Sequence, residues 1–136
     1  MIKFFSKYKI IFYSMNFFLI ILYLFPGSLL GLFLYKDKAI QPQITPDFSI
    51  SYFSISSNHF YVFILISVIG FLSFLKSKEI KILIIYLILL SLFLEIFHLI
   101  IPDRSFQFSD LFGNLLGVFI VICINSFINK YVFSKK

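Results

Sequence analysis

The chain alternates between long apolar runs and short polar segments. Four runs predict membrane-spanning helices, because about 20 apolar residues at about 1.5 Å per residue cross a hydrocarbon layer of about 30 Å. They extend from Ile10 to Leu34, from His59 to Leu75, from Ile82 to Ile101 and from Asp110 to Ile128. Pro26-Gly27 interrupts the first run and predicts a kink or an end of that helix. The pattern predicts an all-α bundle of four transmembrane helices in a single domain, residues 1–136.

The segment between the first two runs is the longest polar stretch. It extends from Tyr35 to Asn58 and contains Pro42 and Pro46. Its later part, FSISYFSIS, alternates apolar residues with serine. This alternation is typical of a short strand and also of a segment lying on the bilayer surface, and the sequence leaves both alternatives open.

Composition agrees with a membrane protein. Hydrophobic residues make up 60% of the 136 positions and the mean hydropathy is +1.01, which leaves too little polar surface for a soluble domain of this size. The net charge of +6 comes from lysines near the ends of the apolar runs, where they meet lipid headgroups. The expected partner is therefore the lipid bilayer, and no nucleic-acid partner is expected.

The positive residues are distributed unequally between the two predicted sides of the membrane. One side holds three of them, Lys36, Lys38 and Arg104. The other side holds nine, which are Lys3, Lys7, Lys9, Lys76, Lys78, Lys81, Lys130, Lys135 and Lys136. The positive-inside rule therefore predicts a multi-pass cell-membrane protein with both termini in the cytoplasm.

Polar residues are concentrated at the predicted outer ends of the helices. Glu95 and His98 lie three residues apart and share one helix face, with Glu95 six residues before the predicted end at Ile101. An ionised carboxylate inside a bilayer costs up to about 3 kcal/mol on insertion scales, so Glu95 is expected to face the bundle. Arg104, the only arginine, is the expected counter-charge of Glu95 or Asp110. The candidate binding pocket consists of Glu95, Arg104, Asp110, His59, His98 and Asn114.

Structural roles are alternatives for the same residues. Glu95 could form a purely structural ion pair with Arg104, and Asp110 could cap the fourth helix. His59 could be a first-turn residue that follows an Asn58 cap, and Asn114 could make an interhelical hydrogen bond. Three further residues are predicted to be structural, namely Gly113 and Gly117, whose GxxxG spacing favours close helix packing, and Pro102, which ends the third helix.

Metal and catalytic motifs are weak in this sequence. Glu95, His98, His59 and Asp110 could in principle surround a divalent ion, but the Glu-x-x-His spacing alone is a poor signal. The chain has no HExxH motif, no cysteine cluster and no phosphate-cradling glycine loop. The sequence therefore predicts no metal, no cofactor and no assigned catalytic residue.

The segment from Glu95 to Gly117 resembles the core of the VanZ-like family of small integral membrane proteins, which reads approximately E-x-x-Q-x-x-x-P-x-R-x-x-x-x-x-D-x-x-x-N-x-x-G. The matching positions are Glu95, Pro102, Arg104, Asp110, Asn114 and Gly117. Asn58-His59-Phe60 is similar to the end of the family's D-K-x-x-H-F element. The resemblance covers the last three spans, and the first span agrees in position and hydrophobicity only.

Two positions depart from the family pattern. His98 stands where the family usually has Gln, and Ser56-Ser57-Asn58 replaces the usual Asp-Lys approach to the histidine. A neutral His98 can imitate an amide as a hydrogen-bonding group. The family is named for a protein associated with low-level resistance to teicoplanin, and the resemblance does not extend that resistance to this chain.

The one-sided polar cluster and the resemblance together predict a non-enzymatic VanZ-like protein of the cell envelope. Its extracytoplasmic pocket is expected to bind a lipid headgroup, a cell-wall precursor or a membrane-protein partner. One alternative is a small membrane enzyme acting on a lipid-linked substrate, with Glu95 or Asp110 as general base and Arg104 holding phosphate. A structural subunit of a membrane complex is the other alternative.

Overall fold

Helices account for most of the chain in the computed structural model, which describes residues 2–74, 78–128 and 130–131. The helices are α1 (Ile2–Leu24), α2 (Leu29–Tyr35), α3 (Ser57–Phe74), α4 (Ile80–Phe97) and α5 (Phe108–Ile128). Two short strands, β1 (Phe48–Ile50) and β2 (Phe53–Ile55), lie between α2 and α3. The predicted all-α class is confirmed. The predicted end of the second run at Leu75, together with Lys76, Lys135 and Lys136, lies outside the described residues.

Within the described part, three helices, α3, α4 and α5, are each long and apolar enough to cross a membrane. By length and composition they indicate a membrane protein. Helix α1 meets the same criterion together with α2, and the two are bent by 82° at the break between them. The break lies where Pro26-Gly27 predicted it, and Gly27 adopts a left-handed φ of 75°.

The third predicted helix ends earlier than expected. Helix α4 stops at Phe97 instead of continuing to Ile101. The following amides of Leu99 and Ile100 each bond to the carbonyl three residues earlier, at 3.0 Å, which tightens the chain into a turn. As a result Glu95 lies in the last turn of α4 and not well inside the helix.

The close contact between α3 and α5 depends on two glycines. A Cβ atom on Gly113 would lie 2.6 Å from the Ser56 carbonyl oxygen, and one on Gly117 would lie 2.7 Å from the Phe60 carbonyl oxygen. Both obstacles are backbone atoms and cannot swing away. The predicted close packing at this GxxxG motif is therefore confirmed.

Apolar side chains occupy both the interior and the outer faces of the bundle. Phe63, Ile66 and Leu87 are fully buried between the helices. Phe119 and Ile85, on the outer faces of α5 and α4, remain about 60% exposed. A soluble bundle places polar residues at such positions, so these faces fit a hydrocarbon environment.

The FSISYFSIS segment forms a β-hairpin, so the strand that its alternation indicated is present. Strands β1 and β2 are antiparallel, with Phe48 opposite Ile55. Ser51 in the turn has a positive φ of 51°. The Phe53 ring packs against Phe112 with ring centroids 4.7 Å apart, which holds the hairpin on α5.

Replacing Gly113 with alanine tests the close packing of α3 and α5. Alanine at an unhindered helical position stabilises by about 1 kcal/mol relative to glycine. Here we expect Gly113→Ala to lower the stability by about 1–3 kcal/mol, because its Cβ would overlap the α3 backbone. The measurement is the thermal unfolding midpoint of purified protein in detergent. Cys123→Leu, on an exposed position of the same helix, is the control. A higher midpoint for Gly113→Ala would contradict the close packing.

Candidate functional site

Four helix ends meet at one end of the bundle, which we call the site end. They are the C-terminal ends of α1 and α4 and the N-terminal ends of α3 and α5. Five of the six sequence-predicted pocket residues come together there, and they are joined by Tyr23, which the sequence analysis missed. We call this set the polar cluster, and it consists of Tyr23, His59, Glu95, His98, Asp110 and Asn114.

A hydrogen-bonded triangle forms the centre of the polar cluster. The Tyr23 hydroxyl donates to Asn114 Oδ1 at 2.9 Å, and His59 Nδ1 lies 3.0 Å from that hydroxyl and 3.1 Å from Asn114 Oδ1. The Asn114 amide nitrogen donates to the Ser91 carbonyl at 3.4 Å, which fixes Oδ1 towards the histidine. Since Oδ1 can only accept, His59 Nδ1 carries a proton. The expected interhelical bonding of Asn114 is confirmed.

The other ring nitrogen of His59 faces a carboxylate. Nε2 lies 3.5 Å from Asp110 Oδ2, while Asp110 Oδ1 lies 3.4 Å from the Ser109 hydroxyl, which donates to it. With Nδ1 protonated, a neutral ring would direct its Nε2 lone pair at the carboxylate. This contact is attractive when the ring is protonated, when Asp110 carries a proton, or when a cation lies between the two atoms.

Glu95 is completely buried and only half satisfied. Its Oε1 accepts from the backbone amide of Gln107 at 2.8 Å. Its Oε2 lies 3.3 Å from His98 Nδ1, but without the geometry of a hydrogen bond, and no other donor reaches it among the described residues. A buried carboxylate oxygen without a donor is costly, so it is the least satisfied polar atom of the site end.

His98 repeats the arrangement of His59. Its Nε2 donates to the Tyr23 carbonyl at 3.1 Å, and its ring stacks on the Tyr23 ring with an interplanar angle of 17°. This bond places the ring proton on Nε2 and directs the Nδ1 lone pair at Glu95. Glu95 and His98 share one helix face, as the sequence predicted.

Arg104 does not make the ion pair that the sequence predicted. Its Nε donates to the Phe25 carbonyl at 3.2 Å and its Nη2 to the Leu22 carbonyl at 3.0 Å. The Leu22 carbonyl would normally accept from residue 26, but Pro26 has no N–H. Arg104 therefore caps the end of α1, and in the part of the chain that the structure describes it forms no ion pair with a carboxylate.

The Arg104 charge is stabilised by its position. The cation lies at the C-terminal end of α1, where the helix dipole is negative. Burial lowers the pKa of Arg104, while Tyr23 and the carboxylates of Asp110 and Glu95 oppose that shift. The arginine remains charged, since the pKa of a guanidinium lies far above neutrality.

Two expected capping hydrogen bonds, from Asn58 and Asp110, are not found among the described residues. Asn58 bonds the loop instead, because its amide donates to the Pro42 carbonyl and its Oδ1 accepts from the Ile44 amide. Asp47 takes the capping position by accepting from the Ser57 amide at 3.0 Å. Asp110 is the third residue of α5, and its Oδ2 faces His59.

Pro102 was expected to end the third helix, but it lies beyond that end. It is exposed in the turn after α4, five residues past Phe97. The hydrogen bonds of the turn stop the helix first.

A partly open cavity leads from the surface of the site end to the polar cluster. Its volume is about 120 Å³. It lies between α1, α3 and the loop that precedes α3. Its polar lining consists of Tyr23, Ser28, Gln41, Asn58, His59, His98 and Arg104.

Tyr23 and Gln107 complete the site but carried no distinctive sequence signal. Tyr23 is one of eight tyrosines and lies within an apolar run. Gln107 contributes through its backbone amide, which any residue except proline provides. Comparisons with protein-family models, curated proteins and solved structures found no match to this chain.

Replacing Tyr23 with phenylalanine tests the centre of the cluster. The variant keeps the ring and removes the hydroxyl that contacts Asn114 and His59, so we expect a loss of about 1–3 kcal/mol in stability. The measurement is the thermal midpoint in detergent. Tyr52→Phe, at a fully exposed position in the hairpin turn, is the matched control. Equal midpoints for the two variants would contradict this account of the cluster.

Proposed function

We propose that the chain is a VanZ-like, non-enzymatic integral membrane protein of the cell envelope that binds the anionic headgroup of a membrane lipid. In this proposal α1 is the fourth transmembrane helix of the bundle. Both termini lie in the cytoplasm, and the site end faces the outside.

The distribution of charge supports this orientation. Lys36, Lys38 and Arg104 are the cations at the site end. Lys9 and Lys78 lie at the opposite end, near the turn between α3 and α4. The sequence assigns nine of its twelve positive residues to the predicted side that contains Lys9 and Lys78, so the positive-inside rule predicts that this end lies in the cytoplasm.

The cavity beside Arg104 is the observation that supports an anionic headgroup as the ligand. Arg104 uses Nε and Nη2 for the two carbonyls of α1, and its Nη1 has no partner among the described residues. A guanidinium that is already held in place and has free N–H groups suits a phosphate or carboxylate oxygen. A cavity of about 120 Å³ is smaller than the pockets of about 300–1,000 Å³ that hold drug-sized ligands. It therefore fits a headgroup and not a complete cell-wall precursor.

The state of the histidines supports a non-enzymatic role. His59 and His98 both line the cavity. Each donates one ring N–H to a neutral acceptor and directs the other nitrogen at a buried carboxylate. Each ring therefore faces protein groups with both nitrogens, whereas a general base must face the substrate.

Cysteine labelling tests the orientation. In a Cys123→Ser background, single cysteines would be placed at Ser105 and Tyr52, both exposed at the site end, and at Lys78 at the opposite end. We expect a membrane-impermeant maleimide to label the first two positions in intact cells and the third only after permeabilisation. Labelling of Lys78→Cys alone in intact cells would reverse the topology and rule out an envelope ligand at the site end.

Headgroup binding is tested by titrating purified protein with short-chain phosphatidylglycerol. Arg104→Gln removes the cation, and Val62→Phe narrows the cavity while leaving Arg104 in place. We expect either variant to weaken binding by about tenfold or more, since a hydrogen bond to a charged group contributes about 1.5–3 kcal/mol.

Lys38→Gln is the control for this experiment, because Lys38 is an exposed cation at the same end and is paired with Asp103. Its affinity should match that of the unsubstituted protein. Unchanged affinity in both Arg104→Gln and Val62→Phe would overturn the proposed headgroup site.

A further inference from the structure

Three helices each place one metal-ligating side chain at the same point of the polar cluster. His59 comes from α3, Glu95 from α4 and Asp110 from α5, and one ligand atom of each lies within 4.8 Å of the others. From this geometry we infer that these residues form a binding site for a single divalent transition-metal ion, with Zn²⁺ as the best-suited ion. This inference is independent of the proposed headgroup site, which depends on Arg104.

In each proposed ligand residue, the polar atom that would not bind the ion makes a hydrogen bond to a neighbouring group. His59 Nδ1 donates to Asn114 Oδ1, as the second nitrogen of metal-binding histidines commonly does. Glu95 Oε1 accepts from the Gln107 amide, and Asp110 Oδ1 from the Ser109 hydroxyl. These bonds orient the three side chains, and His59 Nε2, Glu95 Oε2 and Asp110 Oδ2 are the atoms proposed to bind the ion. Asp110 also has a side-chain hydrogen bond with Ser56.

The atoms that lack a hydrogen-bond partner suit a cation. Glu95 Oε2 is fully buried and has no donor. His59 Nε2 and His98 Nδ1 lie 3.5 Å and 3.3 Å from carboxylate oxygens, and both of these rings already donate through their other nitrogen. At both contacts an imidazole nitrogen without a proton of its own therefore lies close to a carboxylate oxygen. Arg104 donates to carbonyls at the end of α1, so among the described residues no arginine or lysine is in direct contact with either carboxylate.

The donor set favours zinc among the divalent ions. Imidazole suits Zn²⁺, Cu²⁺, Fe²⁺ and Ni²⁺, whereas Ca²⁺ and Mg²⁺ prefer oxygen ligands alone. Zinc lies about 2.0–2.2 Å from nitrogen and oxygen ligands, so three ligand atoms within 4.8 Å of one another would each need to move inward by less than about 1 Å. Three protein ligands with a further open position are typical of zinc sites that also hold a solvent molecule.

Metal titration of the purified full chain tests this site. The protein carries Cys123→Ser to remove its only thiol, is purified without a histidine tag, and is treated with a chelator and desalted before titration with Zn²⁺. We expect one equivalent to bind per chain and to raise the thermal midpoint, because a ligand that binds only the folded state stabilises it. Co²⁺ should occupy the same site and give a visible absorption spectrum of nitrogen and oxygen ligation.

The variants His59→Gln and Asp110→Asn remove one ligand each with little change in volume. We expect each to weaken Zn²⁺ binding by about tenfold or more, which is at least the effect of losing an outer-shell partner of a metal ligand. Glu79→Gln and Asp103→Asn replace exposed carboxylates outside the cluster and are the matched controls. They should bind Zn²⁺ like the parent protein.

Two results would overturn the inference. One is a parent protein that takes up less than one equivalent and shows no shift in thermal midpoint. The other is a Zn²⁺ affinity that is the same in the ligand variants and in the controls. If a ligand variant fails to fold, the parent protein still decides, since a Co²⁺ spectrum without a nitrogen ligand would exclude His59.

Discussion

Tyr23, in the last turn of α1, connects the four long helices at the site end. The Tyr23 hydroxyl bonds to Asn114 of α5 and contacts His59 of α3, and the Tyr23 carbonyl accepts from His98, directly after α4. A polar group within a bilayer finds no partner in the lipid, so its partner must come from another helix. The four long helices therefore cannot shift against one another at this end without breaking a buried hydrogen bond.

Pro26 explains why Arg104 is absent from the cluster. The proline ends α1 and deprives the Leu22 carbonyl of its usual donor, and Arg104 supplies that donor. A proline just after the first helix thus determines the partner of the only arginine, about eighty residues away in the sequence. The same contact removes the expected counter-charge from Glu95 and Asp110 and leaves two buried carboxylates beside two histidines.

Apolar run length and helical spacing were sufficient to predict α3, α4, α5, the break at Pro26 and the shared face of Glu95 and His98. The unpredicted features depend on contacts between distant residues. Tyr23 joins the cluster because α1 packs at its particular register against α3, and a single tyrosine in an apolar run does not encode that register. The early end of α4 results from turn hydrogen bonds, whereas the sequence pointed to the later Pro102.

The two proposed sites share one electrostatic environment. Arg104 and the two histidines line the cavity, while Glu95 and Asp110 lie behind the histidines and do not line it. Unneutralised, these carboxylates would repel an anionic headgroup, because charges interact strongly in a low-dielectric interior. A divalent ion between His59, Glu95 and Asp110 would cancel that repulsion and leave Arg104 as the unopposed charge facing the cavity. The cation site would then explain how a pocket backed by two acids can accept an anion.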